Sequence, residues 1–123
     1  MMKENLKKFA ITADCPVRNV LDRIGDKWSI LVIGILGESR TLRFNEINAI
    51  IGTISQKMLT VTLKTLEADG LVSRKIYPQV PPRVEYTLTE LGKSLLPAMS
   101  GLVDWALENM PAVKASRERY ARL

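Results

Sequence analysis

The strongest constraint in this chain is a change of hydrophobic period at Gly70. From Ile54 to Ala68 the apolar residues recur at helical spacing, with Leu59, Leu63 and Leu66 at i, i+4 and i+7 and Met58 beside them. After Gly70 the spacing falls to two. Val72 and Ile76 alternate with Ser73, Lys75 and Tyr77, while Arg74 falls out of pattern on the Val72 side. Val84, Tyr86 and Leu88 alternate with Arg83, Glu85 and Thr87. Ser55 stands where an N-cap belongs, since its hydroxyl can accept a hydrogen bond from an unpaired N–H of the first turn. Gly70 follows Asp69, where the chain needs a left-handed residue to leave the helix. Between the alternating runs lies Pro78-Gln79-Val80-Pro81-Pro82. Prolines cannot donate to a sheet ladder, so this stretch predicts a stiff tip projecting from a β-hairpin.

The residues before Ser55 add a second helix. Arg43 to Ile50 places Phe44, Ile47 and Ile50 or Ile51 inward, and Gly52-Thr53 ends it. Two helices joined by a short glycine-bearing turn form a helix-turn-helix, and a hairpin directly after it is a wing. The predicted class is therefore mainly α with a small β-hairpin wing, a winged helix-turn-helix. Upstream, Cys15-Pro16 opens a short helix carrying Val17, Val20, Leu21 and Ile24. A mostly apolar central helix runs from about Lys27 to Gly37 through Trp28, Leu31, Val32 and Ile35, and Gly37 to Thr41 is a turn. Downstream, Thr89 caps a long helix whose apolar line is Leu91, Leu95, Met99, Leu102 and Ala106, with Val103 beside it. Pro97 is expected to kink that helix and Pro111 to end it. So broad an apolar face exceeds what one small core covers, which predicts a homodimer joined through the terminal helices, with Leu95, Met99, Leu102, Val103 and Ala106 in the interface. The domain organisation reads as an N-terminal arm over 1–14, the winged domain with its dimer helix over 15–110, and a charged tail over 111–123.

Charge points to the same segment. Of the net +5, the stretch Arg40 to Arg83 supplies +4, from seven Lys/Arg against three Asp/Glu. On the helix after Ser55, Lys57, Thr60, Val61 and Lys64 lie opposite the leucines, with no carboxylate before Glu67. That face suits a major groove, with Gln56 and Thr60 placed for base edges; it also suits an ordinary surface helix. The chain has no histidine and a single cysteine. Imidazole triads and thiolate–imidazole metal cages are excluded, and neither catalysis nor a cofactor is expected. An enzyme using Cys15 as nucleophile would lack a histidine to activate it. A winged helix serving only protein–protein contact would favour an acidic face, and this one is basic. No apolar run approaches bilayer length, and Met1 to Ala10 lacks a signal-peptide core, so a cytoplasmic protein with no membrane contact is expected.

The motifs, taken in order, resemble the HxlR-type bacterial transcription regulators, winged-helix proteins related in fold to the MarR group. They are Cys15-Pro16-Val17, Asp22-Arg23-Ile24-Gly25-Asp26-Lys27-Trp28, Arg43-Phe44-Asn45-Glu46, Ile54 to Thr60, Asp69-Gly70-Leu71-Val72, Val80 to Tyr86 and Leu88 to Gly92. The resemblance implies a homodimer that binds double-stranded operator DNA. It carries over Ser55, Gln56, Lys57, Thr60 and Lys64 as the DNA face, Lys75 and Arg83 as wing contacts, and Arg43 as a phosphate contact. Some relatives with a cysteine at the place of Cys15 respond to oxidants or electrophiles. Cys15 is thus the candidate redox sensor, and a small-molecule or oxidant effector is implied.

Overall fold

The computed structural model describes residues 15–123. The basic arm expected over 1–14 lies outside the described residues. In chain order the elements are α1 (Pro16–Ile24), α2 (Lys27–Ser39), β1 (Thr41–Arg43), α3 (Phe44–Ile51), α4 (Gln56–Ala68), β2 (Val72–Tyr77), β3 (Arg83–Leu88), α5 (Glu90–Ser94) and α6 (Leu96–Ala121). This is a winged helix-turn-helix, mainly α, as the change of period predicts. The strands form one antiparallel sheet in the order β1-β3-β2. The hairpin pairs Val72 with Leu88 through to Tyr77 with Arg83.

The core lies where α2 crosses the helix-turn-helix. Val32, Ile33 and Leu36 of α2 meet Ile47 of α3, the leucines of α4, and Val72, Tyr86 and Leu88 of the sheet. Asp26 starts α2, accepting hydrogen bonds from the backbone N–H groups of Trp28 and Ser29 at 3.0 and 2.9 Å, and from the Ser29 hydroxyl at 2.8 Å. Partial burial pushes the Asp26 carboxyl up, but these donors outweigh it and hold the group below its ordinary value.

Several expectations change. The turn expected from Gly37 to Thr41 is partly helix, because α2 continues to Ser39. Gly37 stays helical and lets Leu96 pack against it: an added Cβ would lie 2.8 Å from the Leu96 Cδ2. Arg40 then takes the positive φ that ends the helix. A third strand, β1, follows, pairing Thr41 to Arg43 with Thr87 to Glu85. Three residues are too few for alternation to show. Val17, Val20 and Leu21, expected to face a core, are exposed, as are Leu31, Met58 and Ile76. Pro97 does not kink a continuous helix. The chain breaks at Leu95, and Pro97 sits in the first turn of α6, where its missing N–H costs nothing. Nor does Pro111 end α6, which carries it internally and continues to Ala121.

One junction ties three elements together. The Thr89 hydroxyl donates to the Gly70 carbonyl and accepts from the Gly92 N–H at 3.0 Å, while the Thr89 N–H donates to Leu71 O at 3.0 Å. Gly92 packs so tightly here that a Cβ would lie 2.2 Å from Leu71 O. The exit of α4, the root of the wing and the start of α5 therefore meet at one residue.

Candidate nucleic-acid interface

The geometry of α4 follows from its ends and its buried stripe. The Ser55 hydroxyl accepts from the Met58 N–H at 3.0 Å and caps the helix. At the other end Gly70 N–H donates to Glu67 O and Leu71 N–H to Leu66 O, both at 3.0 Å, with Gly70 at φ +76. That pair is the Schellman pattern, which a left-handed residue makes possible. Leu59, Leu63 and Leu66 are 0%, 2% and 0% exposed. Held on that stripe, the helix turns Gln56, Lys57, Thr60, Val61 and Lys64 outward. The Thr60 hydroxyl donates to Gln56 O at 2.8 Å, leaving its lone pairs for an outside donor.

The structure brings the other sequence-predicted residues together on the sheet edge. Arg43 ends β1 and begins α3; its N–H donates to the Glu46 carboxylate at 2.8 Å, and its side chain is exposed. In the sheet register, Glu85 of β3 lies opposite both Arg43 and Lys75. Glu85 also pairs with Arg83, 3.4 Å from Nε. The Tyr77 ring lies under the Arg83 guanidinium at 4.1 Å and the Lys75 ammonium at 4.9 Å. Cations so placed are favoured by the ring's negative face. Tyr77 and Glu85 were missed as organising residues, because alternation marks a strand's faces but not its cross-strand partners.

Arg74, the residue out of pattern, has a partner. It lies 3.4 Å from Glu67 of α4 and ties the wing to the last turns of the recognition helix. Phe44, Lys64, Arg74 and Tyr86 line the groove between helix and wing. Burial raises the Tyr86 hydroxyl above its usual range; Arg74 opposes this and Glu67 adds to it.

The residues expected in a dimer interface divide. Leu95 and Met99 are partly buried against the chain's own core. Leu102 and Val103 are exposed, joined by Trp105 and Leu107, and Ala106 is half-buried. Cys15 is 5% exposed at the N-cap of α1, with Pro16 next in the helix. At its far end α1 is fastened by a two-pronged pair: Arg23 Nε donates to Asp69 Oδ2 at 3.0 Å and Nη2 to Oδ1 at 2.8 Å. Among the described residues no helix is long and apolar enough to cross a membrane.

Comparison with known proteins gives concordant results. A model of the HxlR-like helix-turn-helix family matches residues 23–114. An HTH-type transcriptional regulator of Halalkalibacterium halodurans is 46% identical over 108 residues, covering 88% of this chain and 96% of that protein. Among solved structures, the transcriptional regulator YtfH of Salmonella typhimurium is similar at a TM-score of 0.78 and 40% identity, over 87% of this chain and 95% of that one. The redox regulator HypR in its reduced form is similar at a TM-score of 0.76 and 42% identity, over 81% of this chain and 98% of that one.

Proposed function

As a chain that belongs to the HxlR-like helix-turn-helix family of transcriptional regulators, we propose, this protein binds a pseudo-palindromic DNA operator as a homodimer. The observation that carries the reading is the two-sided α4: three leucines sealed in the core and an outer face of amide, hydroxyl and ammonium groups. Such a helix enters a major groove with its first turn toward base edges. Gln56 and Thr60 read bases, and Val61 meets a thymine methyl. Lys57, Lys64, Arg43, Lys75 and Arg83 hold phosphates, and phosphate contacts set register without selecting sequence. One helix reads only a few base pairs. Two copies joined through the outer face of α6 read half-sites roughly one helical turn apart.

Duplex DNA from beside the protein's own gene, titrated at rising salt, tests this. Each neutralised phosphate releases counterions, so affinity falls steeply from about 50 to 200 mM salt. An affinity indifferent to salt would sink the electrostatic reading.

Cys15 supplies the regulatory input. Its placement at the entrance of α1, and the likeness to a regulator described as redox-responsive, support this role. Oxidation there alters the seat of α1 and, through it, the dimer. Diamide treatment should change the affinity of the parent protein for DNA and leave Cys15→Ser unmoved; an unaffected parent refutes the role.

A further inference from the structure

At the root of the wing, α2, β1, the end of β3 and the α5–α6 corner enclose a cavity of about 510 Å³. Leu36, Leu88 and Leu96 give it an aliphatic floor, and Arg40 and Lys93 bring two cations to its wall. No carboxylate lines it. Thr41 and Thr87 also line it, their hydroxyls bonded to each other at 3.0 Å, so one hydroxyl hydrogen is left for a further acceptor.

Arg40 is the residue to account for. Its guanidinium makes no hydrogen bond or ion pair among the described residues. Its backbone sits at φ 73 and ψ −70, a conformation that L residues rarely adopt. The cavity lies at the Thr87–Leu88 end of β3, whereas Arg83 of the wing tip stands at the other end. The strand separates them by about 17 Å, at roughly 3.3 Å per residue. These cations therefore stand apart from the wing-tip charges assigned to DNA.

We propose that this cavity binds an aliphatic carboxylate of about six to ten carbons, a size suited to pockets of this volume. The headgroup lies between Arg40 and Lys93, where a guanidinium can grip both carboxylate oxygens. The chain lies on the three leucines. Inorganic phosphate would satisfy the cations but leave the aliphatic floor uncovered, and a neutral amide would do the reverse.

Calorimetric titration of the full-length protein, without DNA, tests the site independently of the operator reading. The probes are hexanoate, hexanamide and inorganic phosphate. Hexanoate is expected to bind at least tenfold tighter than either of the others. Lys93→Gln, on an exposed position, and Arg40→Asn, a residue that tolerates positive φ, should each weaken hexanoate about tenfold, while Arg40→Lys retains most of the affinity. The site is overturned if hexanoate fails to bind, if hexanamide or phosphate matches it, or if Lys93→Gln and Arg40→Asn both bind like the parent.

Discussion

Gln56 and Lys64 stand on one helix but differ in what their loss removes. An amide at the start of α4 reaches base edges, so Gln56→Ala is expected to flatten the preference among operator variants by about 1–3 kcal/mol at the bases it reads. An ammonium two turns later reaches phosphate. Lys64→Ala should weaken every duplex alike and reduce the salt slope by about 1, measured by anisotropy across a salt series. Asp26 makes a different prediction, about stability. Its carboxyl is held below the ordinary value in the folded chain, so its contribution is present above the unfolded pKa, about 3.9, and is lost as pH falls through the folded value. Thermal unfolding of the parent and of Asp26→Asn should therefore differ at pH 7 and converge toward pH 3.

Among the elements, α4 is the one whose ends are most fully specified. Gly70→Ala forces an L residue into the left-handed region and should cost roughly 1–2 kcal/mol, read from denaturant midpoints. Ser55→Ala should cost about 1 kcal/mol through the lost cap. These same residues made α4 legible in the sequence, because cap, periodic leucines and terminal glycine act within one short stretch of chain. The hairpin was legible for a similar reason. What stayed hidden depends on distant partners. The β1 strand exists because β3 lies beside it, and Arg74 looks misplaced until Glu67 is found on α4. Pro97 and Pro111 were misread in opposite senses. One starts a helix where a kink was expected, and the other is absorbed where an end was expected. A proline fixes its own φ and deletes one donor, but the chain around it decides whether the helix stops. Of the candidate site, the helix face was readable from spacing alone. The Tyr77–Glu85 scaffold that holds the wing cations was not.

The whole molecule is lopsided: a dense core on one side and, on the other, a 26-residue helix with no buried side chain. At 1.5 Å per residue α6 is about 39 Å long, far more than its own domain can cover. Leu102 and Trp105 are 56% and 58% exposed on it. If two copies meet there, Leu102→Glu should lower the dimer fraction in sedimentation experiments and leave the monomer's helicity intact. Operator affinity should fall with it, since half a palindrome binds weakly. The Thr89 junction gives this lopsided shape a mechanical character. Because one threonine fastens the reading helix, the hairpin root and the base of the long helix, there is no slack joint among them. A change in the angle between two protomers is delivered to the double helix as a single stroke, with both probes of each half advancing or withdrawing in step.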